Sequence, residues 1–350
     1  MGRPQVVLRG RCLTQAMGHD HPLDRRFVIK AGAAGLGAML LAACTSDARG
    51  PGPGAGQPAG NLAGRADSGP AAPAGFADFA STVRVVADGD FWLVESSGMP
   101  AHGMMVSITS WQQQVPVPQP YAGSNAWRVP RTPRLADHPV SARTQLYRGA
   151  IAVAVNGIPI FNALNNRGED AFLAGELDQW GGHCGRADDY HYHVAPLHLA
   201  GAVAAGAPIA YALDGFPIYG TAEPDGSAVT GLDDFNGHEG PAGHLGSNGY
   251  HYHGTLTYPY INGGLRGVVE VREDQIEPQP VTRAFRPAGT PLRGATITSF
   301  EATGASSYRL GYTLGGGQGG VEYAVSAESV RFVFTDPSGA VRTETYARRG

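Results

Sequence analysis

Tyr190-His191-Tyr192-His193 is repeated sixty residues further on as Tyr250-His251-Tyr252-His253. The reading of this tetrapeptide governs the fold. In an extended chain successive side chains point to opposite faces, so the tyrosines fall on one side and the histidines on the other. Alternate Cα atoms then stand about 6.5–7 Å apart, and two imidazoles at that spacing can converge on one point. Working outward, each copy has the same prelude. Asn156-Gly157-Ile158-Pro159-Ile160-Phe161 opens the first and Asp214-Gly215-Phe216-Pro217-Ile218-Tyr219 the second. A Gly-His segment follows in each: Gly182-His183-Cys184-Gly185, then Gly237-His238-Glu239-Gly240. From the opening Asn or Asp to the first Tyr the offsets are 34 and 36 residues. Three elements in one order at nearly one spacing mark an internal duplication, whose halves are expected to pack face to face.

The surroundings point to a mainly β protein. With 51 Gly and 26 Pro among 350 residues, apolar stretches are short and bounded by turns, as at Ala150–Val155 and Gly267–Val271. Helical signals are confined to Asp170–Leu177 and Pro196–Ala204. Beyond Pro278-Gln279-Pro280 and Arg286-Pro287, five strands are expected: Gly294–Gly304, Ser307–Leu314, Val321–Val325, Val330–Asp336 and Val341–Tyr346. Gly315–Gly320 falls between strands rather than ahead of a helix, so it is no nucleotide loop. The expected fold is a duplicated β-rich core with few short helices, plus a small C-terminal β appendage. Residues 76–277 form the core and 278–350 the appendage, which has no histidine or cysteine.

Residues 1–43 read as an export leader. Arg25-Arg26-Phe27-Val28-Ile29-Lys30 resembles a twin-arginine signal, with Val28 where an aromatic is more usual. The apolar run from Ala31 to Ala43 is too short to span a bilayer. Leu41-Ala42-Ala43-Cys44 resembles a lipobox, which makes Cys44 the lipidation site and the membrane a partner through that lipid. Translation starts at Met1 or at Met17. Residues 44–75, rich in Gly, Ala and Pro, read as a disordered tether. The expected location is the cell envelope, periplasmic or at the cell surface.

Cleavage before Cys44 leaves 20 basic against 28 acidic residues, a net charge of −8, which supplies no basic footprint for nucleic acid. It removes Lys30, the only lysine, and with it any Schiff-base chemistry. Cys184 remains as the one thiol, so no internal disulfide can form.

Ten histidines lie beyond Cys44, eight of them between His183 and His253. His191, His193, His251 and His253, with His183 and His238 from the Gly-His segments, are candidate metal ligands. Imidazole suits zinc, copper, iron and nickel, so the donors do not select the metal; copper or zinc is the expected cofactor. Three histidines with an open position would be catalytic in character, and a closed set structural. Asp188, Asp189 and Asp214 are candidates for fixing an imidazole tautomer, and Cys184 for a soft ligand. The competing account is a structural strand whose imidazoles bond backbone carbonyls across the repeat interface. His138 reads as a loop residue, and His198 and His244 as surface or packing residues.

These residues make the chain resemble the YHYH-domain proteins, a mostly bacterial family of secreted proteins. The resemblance runs over Gly98–Gly267 and includes Gly98-Met99-Pro100-Ala101-His102, the two openings, Gly182-His183 and both tetrapeptides. It implies that His102 joins the histidine cluster and that the tail is a β extension. It implies no particular activity, and Cys184 after His183 departs from its pattern.

Three functions follow. One is an exported lipoprotein holding copper or zinc. Another is a metal-dependent hydrolase or oxidoreductase of the envelope, acting on a small molecule or envelope polymer, with Asp189, Asp214 or Glu239 as catalytic base. The third is a non-catalytic adhesion or glycan-binding module using Trp92, Trp111, Trp127 and Trp180.

Overall fold

The computed structural model describes residues 71–240 and 249–348. Cys44, the twin-arginine motif and His244 lie outside the described residues. Strands dominate. The helical segments among the described residues are three 3-10 turns, Phe76–Phe79, Gly123–Asn125 and Leu197–Gly201. The last falls within the expected Pro196–Ala204. Asp170–Leu177 does not become a helix: the bond from Ala174 N–H to Asp170 O is one α-turn, and the chain then bends so that Glu176 N–H reaches Ala171 O.

An antiparallel meander of β1 (Val83–Asp88), β2 (Phe91–Ser96) and β3 (Trp127–Pro130) opens the body. After β4 (Leu135–Ser141) the first repeat supplies β5 (Ala150–Ala154), β6 (Pro159–Phe161), β7 (Gly182–Cys184) and β8 (Tyr190–Tyr192). The second supplies β9 (Ala210–Ala212), β10 (Pro217–Tyr219), β11 (Gly237–Glu239) and β12 (Tyr250–His253). These eight make one sheet in the order β11-β12-β10-β9-β5-β6-β8-β7. Its two halves mirror each other: β6 pairs parallel with β8 as β10 does with β12, and β7 and β11 each add antiparallel to the outer side.

The halves therefore meet edge to edge, not face to face as the duplication suggested. β5 and β9 pair antiparallel at the centre, Val153 opposite Tyr211. Every residue of both strands is buried, as expected of central strands covered on both faces. From β8 to β12 there are five inter-strand steps, a separation of about 24 Å at the usual strand spacing.

The expected strand at Gly267–Val271 is split between β13 (Gly264–Gly267), which pairs with β4, and β14 (Glu270–Arg272), which forms a hairpin with β15 (Gln275–Glu277). The tail is a five-stranded antiparallel meander. It comprises β16 (Thr296–Gly304), β17 (Ser307–Leu314), β18 (Gly317–Val325), β19 (Ser329–Thr335) and β20 (Val341–Ala347). Gly317–Gly320 belongs to β18 rather than to a loop, leaving Gly315 and Gly316, both with positive φ, to turn the hairpin. The segment leading into the meander is tied to the connection between β7 and β8 by a buried ion pair. Arg286 Nε and Nη2 each donate to Asp188 at 2.6 Å, and Nη2 also reaches Gln113 O. Asp188 is thus occupied with Arg286 rather than with an imidazole.

Candidate metal centres

The tetrapeptides divide as strand alternation requires. On one face Tyr190 donates its hydroxyl to Asp178 Oδ2 at 2.7 Å, and Tyr250 donates to Asp233 Oδ2 at 2.9 Å. Tyr192 accepts from Asn156 Nδ2 at 3.1 Å, and Tyr252 donates to Asp214 Oδ2 at 2.5 Å. All four rings are buried. The geometry shared by the two Gly-His segments follows from the same alternation. A Cβ on Gly182 would lie 2.5 Å from the Tyr190 hydroxyl, and one on Gly237 would collide with that of Tyr250. On the other face a Cβ on Gly185 or Gly240 would lie 2.9 or 2.8 Å from Cε1 of His191 or His251. Both glycines of each Gly-His-x-Gly are required by close approach.

On the histidine face, His183 stands directly opposite His191 across β7 and β8, and His238 opposite His251 across β11 and β12. Each tetrapeptide thus meets the Gly-His residue of its own repeat. In the first centre His183, His191 and His193 gather with ring centroids 4.8–5.0 Å apart and Nε2 of His183 and His193 at 3.0 Å. In the second, Nε2 of His238 lies 3.0 Å from that of His251 and 3.3 Å from that of His253. Glu223 joins them. Its Oε1 is 3.0 Å from His238 Nε2, and its Oε2 is 3.1 and 3.4 Å from those of His251 and His253. Four donors on a tetrahedron of 2.0–2.1 Å metal–nitrogen bonds stand about 3.3 Å apart. The observed spacings lie close to that edge length. Each group could hold a metal ion.

The other ring nitrogen is occupied in five of the six imidazoles. Nδ1 of His191, His193, His238, His251 and His253 lies 2.5–3.0 Å from the carbonyl oxygen of Asp189, Asn162, Thr230, Gly249 and Gly220 respectively. A backbone hydrogen bond with Glu176 supports His183. A carbonyl can only accept, so Nδ1 carries the proton and the neutral ring presents a bare Nε2 lone pair. Imidazoles do bond carbonyls, as the structural account held, but within each repeat and through the nitrogen facing away from the centre. Burial favours the neutral ring at His183, His193 and His253. Together with His191 it pushes His193 down to about 3, and burial with His193 and His191 holds His183 well below the ordinary imidazole range. Burial likewise lowers His253.

The remaining candidates lie elsewhere. His102 approaches Tyr192 on the tyrosine face, Nε2 to hydroxyl 2.7 Å, and stacks on Trp180 and against His198. It belongs to neither centre. Cys184 pairs with Tyr190 on the tyrosine side of β7 and is buried in the core, its thiol pushed well up by desolvation, so it is packing and not a soft ligand. Asp189 sits behind His191: its carbonyl holds Nδ1, and its Oδ1 accepts from Ala187 N–H. Asp214 is buried among Tyr252, Phe216 and Gly267 on the tyrosine side, which pushes it up to about 6. Glu239, opposite Tyr250 and exposed, faces away from His238. Glu223, the one carboxylate at a centre among the described residues, escapes a reading by motif because it lies in a turn 28 residues before His251. Aligning the two repeats residue by residue sets it against Asn165, the signal that could have singled it out.

Residues 126–230 match the family model described as YHYH protein, so the chain carries a YHYH domain. That match spans the first tetrapeptide and the opening of the second repeat, and ends before Tyr250. No curated protein and no solved structure matches the chain significantly.

Proposed function

We propose that this chain is an exported envelope lipoprotein that binds two transition-metal ions, zinc or copper, one in each repeat. His183, His191 and His193 hold the first, and His238, His251, His253 and Glu223 the second. The observation that carries this reading is the convergence of imidazole Nε2 atoms at 3.0–3.3 Å in each repeat. Uncharged acceptors at that distance repel unless a cation lies between them. The carbonyls behind each ring fix tautomer and orientation, as the outer shell of a metal site does. A donor set of imidazole nitrogen and carboxylate suits a divalent ion of intermediate softness, and among the described residues no thiol joins it.

Export and anchoring rest on the leader: a twin-arginine motif, a short apolar run and Cys44 in that order. Among the described residues no helix is long and apolar enough to cross a membrane. The glycan-binding alternative loses its main support, because Trp92, Trp111 and Trp127 are buried and Trp180 packs against the core.

Elemental analysis of tag-free mature protein tests the proposal, with His191→Ala/His251→Ala as the control. Two equivalents of zinc or copper in the wild type, lost in the variant, are expected. Folded protein without metal that takes none up on titration would overturn it.

A further inference from the structure

The two centres correspond closely enough for the difference in their donor sets to be located. Asn162 O holds His193 as Gly220 O, 58 residues further on, holds His253. Next in both repeats comes a small loop closed by an isolated bridge, Leu164 with Asp170 and Ala222 with Ala228. Gly168 and Gly226, with φ of 74° and 83°, turn these loops. Within them Glu223 corresponds to Asn165.

The amide does not replace the carboxylate. Asn165 Oδ1 accepts from the N–H groups of Arg167 and Glu169 at 2.9 and 3.1 Å. Its Nδ2 donates to Glu169 and Glu176. Both ends are used by the loop and by Glu176 just beyond it. Among the described residues, no carboxylate or thiol joins the three imidazoles of the first centre, whereas Glu223 completes a four-donor set in the second.

Resting on the metal-binding reading above, we infer that the first centre keeps one coordination position open to a water or small anion from solution, whereas Glu223 closes the second. Three donors and an exchangeable position are the arrangement of reactive zinc sites, and four protein donors that of structural ones. Charge acts in the same direction. A divalent ion among three neutral imidazoles retains its double charge, while Glu223 cancels half of it. The Arg167 guanidinium adds positive potential at His183, moderated by its pairing with Glu169 and Glu176. Phe161, stacked on His191 at 3.9 Å, packs an aromatic ring against the first centre. The duplication has thus separated a site that can bind a ligand from a site that holds the sheet together.

The test loads mature protein with Co(II) and titrates azide while recording the visible ligand-field bands. One azide per two bound cobalt ions is expected to shift the spectrum. The shift should persist in His251→Ala/His253→Ala and vanish in His183→Ala/His193→Ala. Glu223→Asn, which installs the first repeat's residue in the second, should raise the azide stoichiometry to two. Bound cobalt that ignores azide, or an equal response from both single-centre variants, would overturn this inference and leave metal binding intact. Failure of wild-type protein to take up cobalt at all would overturn both.

Discussion

His193 Nε2 and His183 Nε2 face each other at 3.0 Å, although a backbone hydrogen bond from behind already orients each ring. The two side chains converge their lone pairs in a buried setting that favours the neutral state of both. Such a contact is unfavourable in metal-free protein and becomes favourable when a cation enters.

Metal should therefore stabilise the fold. With free zinc at a hundred times its dissociation constant, each occupied centre contributes about 2.7 kcal/mol. Calorimetry on chelator-stripped protein should show the melting temperature rising on zinc addition. His191→Ala/His251→Ala should show no rise. Superimposable wild-type traces with and without zinc would contradict the prediction.

The two glycines of the first Gly-His segment should fail differently. Gly182→Ala drives a methyl into the Tyr190 hydroxyl and should cost about 1–3 kcal/mol of stability by overpacking. Gly185→Ala instead presses on His191 Cε1 and the Asp189 carboxylate, 2.9 and 2.8 Å from the added Cβ. It should lower metal occupancy at the first centre and spare the second. Urea denaturation and metal analysis of both variants separate the effects, and unchanged metal content in Gly185→Ala would count against the assigned geometry.

Asp214 should make stability fall as pH rises. Burial pushes its folded pKa up to about 6 from an unfolded value of 3.8. Between those values the folded chain holds a proton that the unfolded chain has released, so stability drops with increasing pH. The contribution is full below about pH 4 and lost as pH rises through 6, with an upper bound near 3 kcal/mol. Asp214→Asn keeps an acceptor for Tyr252 and removes the titration. Wild-type stability measured relative to this variant should decline across pH 4 to 7. A flat difference would show that Asp214 does not titrate there.

Much of this was legible in the chain. The alternation in Tyr190–His193 assigned a packing face and a ligand face, because a strand has a side-chain period of two and no tertiary context is needed to apply it. The C-terminal strands were readable for the same reason: each is a short apolar run between turn residues. Asp170–Leu177 misled, since its local spacing supports one turn but Gly175 ends it with positive φ. His102 misled in another way. It shares the family motif with the histidine cluster, yet its ring is taken by Tyr192 and Trp180.

The sequence by itself determined that there are two equivalent units, each with a His-x-His strand and a Gly-His partner, because those relations are local and repeat in register. Only the tertiary structure decided that there are two centres rather than one shared site. β5 and β9 join the halves through their backbone edges, which places the tetrapeptides about 24 Å apart, far beyond the reach of bonds near 2 Å. It also brought Glu223 to three imidazoles from a distant turn and left Asn165 occupied by its own repeat. Chain folding sets that proximity, and sequence spacing carries no record of it.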